Sequence, residues 1–274
     1  MPAEPGPRPV DAPSEALSTA PTAAVANETI TTQLAHRTIR RFSGEPLGAD
    51  LVETLVDVAR HAATSNFQQQ STIIHVVAPR LRAEMFASCG YPDPERIHGE
   101  LFVFVVDLHR NAVIRARAGA DPEPLERVSL FLQGCEDVLI GAQNMVVAAE
   151  SLGLGTRYLG ALLGDPRRVI RALGLPSRTF PLVGLLVGHP AERPQFKPRM
   201  PRALSFGTDA YPAVEGRLGE LAEFDETVQE YYDLRDTNRR VDSFSDQIAT
   251  VLGKGPWATS PLLEILHEQG LALH

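Results

Sequence analysis

Cysteine is scarce: Cys89 and Cys135 are the two in 274 residues, far apart and without a CxxC pair. That excludes a zinc knuckle and a disulfide-stapled scaffold. One isolated disulfide stays open, but two buried free thiols in a reducing cytoplasm fit the composition better. The eight histidines are scattered with no HExxH, so a metal enzyme has weak support. No apolar run approaches the roughly 18 residues that a membrane-spanning helix needs. Positive charge is in deficit, 26 Lys and Arg against 34 Asp and Glu, for a formal charge of −8. That balance argues against a general nucleic-acid binder. Nucleotide loops are missing too. No GxxxxGK[ST] occurs, and Gly153 to Gly160 is spaced GxGxxxxG after a predicted helix, where the dinucleotide fingerprint must follow a strand.

What is present is enough apolar material, 43%, for one sizeable core. Residues 1–28, rich in Pro and Ala, have little to bury and read as a disordered tail without the basic and apolar regions of a targeting peptide. Residues 29–274 read as a single domain. Asp50 looks like an N-cap, with Leu51, Leu55, Val58, Ala59 and Ala62 at helical spacing behind it. Ser71–Val77 and Leu101–Val106 read as strands, as do a short segment at Thr156–Leu159 and Leu182–Val187. Leu132–Leu152 is predicted as a central, largely buried helix, with Cys135, Val138, Leu139, Ala142, Met145, Val146, Ala149 and Leu152 on one stripe. Asp165, Pro166 and Gly174 bracket a compact helix. Beyond Pro201 the pattern predicts a long helix to about Tyr232, a polar turn, a helix from about Asp242 and a last one after Ser260–Pro261. The expected class is α+β: helices around a modest sheet, with a helical C-terminal extension over about 202–274.

Charge is unevenly placed. From Arg157 to Arg202 nine basic residues face two acidic ones, a balance of 9 − 2 = +7 in an acidic chain. Such a stretch suits an anion, although Arg167, Arg168 and Arg171 read better as a solvated helix face. Arg37, Arg40 and Arg41 form a second cluster. Lysine occurs only at Lys197 and Lys254, against 24 arginines, so a lysine kept in Phe196-Lys197-Pro198-Arg199 points to a need for a compact ammonium. In an extended segment Lys197 and Arg199 project to one side, a geometry suited to a terminal phosphate, each charged hydrogen bond contributing about 1.5–3 kcal/mol.

His36-Arg37-Thr38-Ile39-Arg40-Arg41-Phe42 with Glu45-Pro46, Thr64-Ser65-Asn66-Phe67-Gln68-Gln69, Ala148 to Gly155, Tyr158-Leu159-Gly160 and Lys197-Pro198-Arg199-Met200-Pro201 occur in one order along the chain. In that order they resemble the motifs of nitroreductase-fold flavoproteins. Glu230 to Tyr232, Arg235, Asn238 to Arg240 and Ser243 to Asp246 are similar to the NADPH-preferring, oxygen-insensitive nitroreductase and flavin reductase subgroup.

The resemblance implies a central, mostly antiparallel sheet flanked by helices, and a homodimer with a tightly held FMN at each of two interface sites, NADPH as donor and small-molecule acceptors. Composition and the tail add a cytoplasmic location with no nucleic-acid or membrane partner. By position it assigns His36, Arg37, Thr38, Arg40, Ser65, Asn66, Gln69, Tyr158, Leu159, Gly160, Lys197 and Arg199 to FMN. Arg40 would lie toward the N1/O2 edge, where reduction places negative charge. Arg235 and Arg240 correspond to positions that grip NADPH through its 2′-phosphate. The flavin supplies the chemistry, so no catalytic side chain and no metal is expected. Other readings stand beside these: His36 as a helix cap, Gln69 as a turn residue, Tyr158 as core, Arg235 and Arg240 as intrachain ion pairs. Two positions depart from the pattern: Pro92 stands where relatives often have a ring-contacting glutamine, and Ala161 replaces a frequent glycine. The implied activity is two-electron, ping-pong reduction of nitroaromatics, quinones or free flavins. The alternatives are a flavin-binding or electron-sensing protein with little turnover, and a specialised flavin dehalogenase or dehydrogenase.

Overall fold

The computed structural model describes residues 20–21, 23–235, 243–251 and 259–274. Most of the predicted tail, and Arg240 with it, lies outside the described residues. The chain divides into two compact units, one of Met1–Arg37 with Pro194–Lys254, the other of Thr38–Arg193 with Gly255–His274.

The larger unit is built on four strands, β1 (Ser71–His75), β2 (Glu100–Asp107), β3 (Gly155–Leu159) and β4 (Thr179–Gly188), in the order β1-β2-β4-β3. Every pairing among these four strands is antiparallel, as the resemblance implies. The continuous apolar run of β2 has its reason here. Phe102, Phe104 and Val106 face one buried cluster and Leu101, Val103 and Val105 the other, so helices cover both sides of the strand. The first cluster is roofed by α2 (Ala49–Arg60) and α5 (Val128–Ser151) and closed by Ile265 and Leu271. Over the second lie Met85 and Phe86 of α3 (Pro79–Ser88) and Val169 of α6 (Pro166–Leu173). Asp165 caps α6 by accepting from the Arg168 N–H at 3.0 Å, and Gly174 ends it in the left-handed region at φ 62°.

Several expectations need correction. Gly48, not Asp50, precedes α2, and Asp50 sits within its first turn without a side-chain cap. Helix α5 begins at Val128 and is not largely buried: its stripe of Val128, Leu132 and Leu139, with Ile140 beside it, is about half exposed, while Phe131, Val138, Ala142 and Met145 fill the core. Helices α3 and α4 (His109–Arg117) are among those that escaped the sequence reading; their apolar positions are interrupted by arginine.

In the smaller unit, α1 (Glu28–Leu34) is capped by the Asn27 side chain at 2.8 Å from the Ile30 nitrogen. The predicted long helix after Pro201 is instead a single turn, α7 (Arg202–Ser205), an irregular stretch, and α8 (Leu221–Arg235). Gly207, Asp209 at φ 60° and Pro212 interrupt it, since proline lacks the N–H a helix interior needs. Helices α9 (Phe244–Val251) and, in the larger unit, α10 (Leu262–Glu268) stand where expected. Among the described residues no helix is long and apolar enough to cross a membrane.

Candidate functional site

The motif containing Thr38 and Arg40 runs as an extra half-strand along β3. Thr38 bridges Thr156 in parallel and Phe42 bridges Pro190 in antiparallel fashion, with Ile39 N–H on the Thr156 carbonyl and Ser43 N–H on that of His189, both at 2.9 Å. Glu192 secures the middle. Its Oε1 accepts the backbone N–H of Arg40 at 2.6 Å and of Arg41 at 3.1 Å, and its Oε2 takes the Arg41 guanidinium at 3.0 Å. Burial would raise this carboxyl's pKa, but the donated N–H groups and the Arg41 charge outweigh it and hold Glu192 below the usual carboxylate range. The exposed Arg40 side chain donates to the Thr38 carbonyl at 3.3 Å.

Tyr158, Leu159 and Gly160 leave the end of β3. Leu159 is buried, whereas Tyr158 is 36% exposed, so it is not core; its hydroxyl donates to Gln143 Oε1 at 3.3 Å. Burial of that hydroxyl, with Glu150 nearby, pushes its pKa up to about 12, so it stays protonated at neutral pH. At Gly160 the backbone faces open space, for a Cβ built there would meet nothing within 4 Å. Thr156, beneath, donates to Glu150 Oε1 at 2.6 Å, which gives Glu150 a structural task.

The third group is the loop before β1. Asn66, Phe67 and Gln69 adopt left-handed backbone at φ 50°, 57° and 50°. Such angles are uncommon for residues with side chains and persist where the surroundings impose them. The loop is exposed from Asn66 to Gln69, Ser65 is half-buried, and Gln70 is sealed inside.

In the smaller unit the structure joins two motifs that are distant in sequence. The Arg37 guanidinium stacks on the Phe196 ring, 3.5 Å from its centroid, beside Lys197 and Arg199. Lys197 and Arg199 are both exposed, and Arg199 donates to the Lys197 carbonyl at 2.7 Å, so its guanidinium folds back along the main chain. His36 adjoins Arg37 in the chain and is half-buried. Arg235 ends α8, but its side chain, like Arg240, lies outside the described residues.

Three other arginines of the basic stretch form ion pairs. Arg167 binds Glu264 and Glu268, Arg168 contacts Glu84 at 3.4 Å, and Arg178 meets Glu126 at 2.6 Å. Arg157 lies over the Tyr91 ring and bonds its hydroxyl, beside Pro92. Sequence reasoning missed Glu192 and also Asp137 of α5, whose carboxylate is 2% exposed and accepts the N–H groups of Ser65 at 2.8 Å and Gln70 at 2.9 Å. A lone aspartate within the apolar stripe of α5 is the signal that could have found it.

Comparison with known proteins gives consistent matches. The profile described as "Nitroreductase family" matches residues 34–189, and "Nitroreductase family, C-terminal domain" matches 197–274. An NADPH-dependent oxidoreductase of Staphylococcus epidermidis is 39% identical over 223 residues, 80% of this chain and 88% of that one. An FMN reductase (NADPH) of Bacillus subtilis is 34% identical, covering 84% of this chain and 93% of its own. The solved structure of the NfrA1 nitroreductase from B. subtilis superposes with a TM-score of 0.84 at 33% identity, over 90% of this chain and all of that one.

Proposed function

The chain belongs to the nitroreductase family, and from that premise we propose that it is an FMN-dependent NADPH oxidoreductase. Relatives named for NADPH-dependent oxidoreduction and FMN reduction, matching along most of both chains, support the enzyme class, the cofactor and the donor.

The single observation that carries the reading to residues is the stacking of Arg37 on Phe196 beside Lys197 and Arg199. The stacking ties the stretch of His36 and Arg37 to that of Lys197 and Arg199, which together carry the cations a doubly charged phosphate ester calls for. The donor set fits FMN in other respects. The open backbone at Gly160 leaves room for a flat ring, and Arg40 is an exposed cation on a backbone fixed by Glu192. Lys197, Arg199, His36 and Arg37 would hold the phosphate end, Thr38 and Arg40 the polar ring edge, Ser65, Asn66 and Gln69 the ring or ribityl chain, and Tyr158, Leu159 and Gly160 the ring face. Bound FMN would supply two-electron redox chemistry, taking hydride from NADPH and then, in ping-pong fashion, reducing a nitroaromatic, a quinone or a free flavin. The chain's own part is to bind, to orient and to set a positive potential near the ring edge through Arg40.

Arg235 and Arg240 are assigned to the NADPH 2′-phosphate, within a C-terminal segment (202–274) that serves both that site and the dimer. The half-exposed apolar stripe of α5 supports a homodimer, because Val128, Leu132 and Leu139 along one helix face, with Ile140 beside them, call for a cover. Two free cysteines fit a reducing cytoplasm.

The test is a visible spectrum of the purified protein, followed by NADPH without oxygen. Flavin bands at about 370 and 450 nm that NADPH bleaches and a quinone restores are the expected result. Bands that NADPH leaves unchanged would remove the NADPH assignment. Absence of flavin binding after FMN is added would remove the whole reading.

A further inference from the structure

The loop from Ser65 to Gln70 is gripped from two sides by charged residues that lie elsewhere in the chain. On the inner side, Asp137 accepts the N–H groups of Ser65 and Gln70 on its two oxygens, at 2.8 and 2.9 Å. On the outer side, Arg110 of α4 donates one nitrogen to the carbonyls of Gln69 and Ser71, the second at 3.2 Å, and its other terminal nitrogen to Thr72 Oγ1 at 3.2 Å. Asn111 adds a bond to the Gln68 carbonyl at 3.3 Å. An anion thus takes backbone donors and a cation takes backbone acceptors, the pairing that charge-assisted hydrogen bonds favour. Asp107 completes the frame by contacting Arg110 at 3.3 Å and accepting from Thr72 at 2.6 Å.

Helix α5 can deliver Asp137 to this point because its backbone comes unusually close to the sheet at Gly134 and to α2 at Gly141. A Cβ on Gly134 would stand 2.6 Å from Val106 Cγ1, and one on Gly141 would stand 3.2 Å from the Ala59 carbonyl oxygen. These glycines lie one turn to either side of Asp137, on its face of the helix.

We propose that Arg110 and Asp137 are positioning residues, a two-sided clamp that presets the left-handed loop so that Ser65, Asn66 and Gln69 meet the cofactor without reorganising. This rests on the assignment of those three residues to FMN above. The clamp holds the strained backbone at Asn66, Phe67 and Gln69 before the ligand arrives, so the ordering cost falls on folding and not on binding.

Arg110 is 44% exposed, so Arg110→Met tests the clamp without opening the core; Asp137→Asn is the buried counterpart, and Arg110→Lys the conservative control. Four quantities are measured: the thermal midpoint of the FMN-free protein, hydrogen exchange of the 64–71 segment in that protein, FMN affinity by fluorescence quenching, and the midpoint potential of the bound flavin. For Arg110→Met the expected result is a retained thermal midpoint, faster exchange in the loop, FMN affinity weakened about tenfold or more, and a shifted potential, with Arg110→Lys recovering part of each. Unchanged affinity and potential in Arg110→Met overturn the proposal, whatever the exchange shows. Failure of both Arg110 variants to fold also overturns it, since the role would then be structural. A wild-type protein that binds no FMN is a separate outcome, seen before any variant is made, and it overturns the functional reading and the clamp's purpose together.

Discussion

The backbone nitrogen of Arg40 and the carboxylate of Glu192 meet at 2.6 Å across 152 positions of sequence. Glu192 does for this segment what a neighbouring strand would do, receiving successive N–H groups of Arg40 and Arg41. Replacing it by Gln leaves one acceptor and loses the charge facing Arg41, at a local cost of about 1–3 kcal/mol. Glu192→Gln is expected to keep the fold but to weaken FMN affinity and lower the flavin's midpoint potential, because Arg40 is no longer fixed. Equal potentials in the two proteins would exclude that role.

The same residue sets an acid limit. Its folded pKa lies below the unfolded one, so its contribution to stability is complete above the ordinary glutamate value of about 4.3 and is lost as pH falls through the lowered folded value. Acid titration monitored by hydrogen exchange should release residues 38–43 in that window, and in Glu192→Gln the exchange of these amides should no longer follow this titration.

Gly155 is the contact through which this segment reaches β3. An added Cβ there would lie 2.6 Å from Ile39 Cγ1 and 2.8 Å from Ile39 Cβ. Gly155→Ala is expected to destabilise by about 1–3 kcal/mol, and to cost less in an Ile39→Ala background, which lacks the Cγ1 and Cγ2 atoms that the new methyl meets. Thermal or urea unfolding of the double-mutant cycle measures the coupling.

At the phosphate end, Lys197→Ala and Arg199→Ala each delete one charged donor. Each should weaken FMN binding by roughly ten- to a hundredfold, for about 1.5–3 kcal/mol per charged hydrogen bond, while riboflavin, which lacks the phosphate, should bind both variants like the parent. Equal losses for the two ligands would place the lysine and arginine elsewhere.

Neither thiol should react quickly. Burial lifts Cys89 to about 11 against smaller opposing effects of Ser88 and Arg157, and burial with Glu136 lifts Cys135 to about 11. On the order of 10⁻⁴ of each is then thiolate at pH 7, and native protein should take up Ellman's reagent far more slowly than unfolded protein.

What the sequence made legible were features governed by local chemistry. The β-branched run before Val76, the capped helix from Pro166 to Leu173 and the doubly buried strand at Leu101 could be read directly, because pattern and burial coincide there. The exposed half of α5 could not, since an apolar side chain reads alike whether it meets its own core or a second surface. Among the site residues, cations near Pro198 stood out through composition. Asp137 and Glu192 stayed hidden because their partners are backbone amides, which leave no trace in the identity of the residues that carry them.

The pairing of the two central strands bears on how the chain reaches this state. Asp107 sits opposite Thr179, with α4, α5, β3 and α6 all lying between them in sequence, and Leu271 fills the same cluster as Leu55. Contacts this remote form slowly, since a long loop must close before they repay its entropy. A nascent chain emerging from the ribosome would carry β2, apolar on both faces, unpaired with β4 until Gly188 had followed it out. Chaperone demand during synthesis should therefore peak over that interval and end once Leu271 is free to dock.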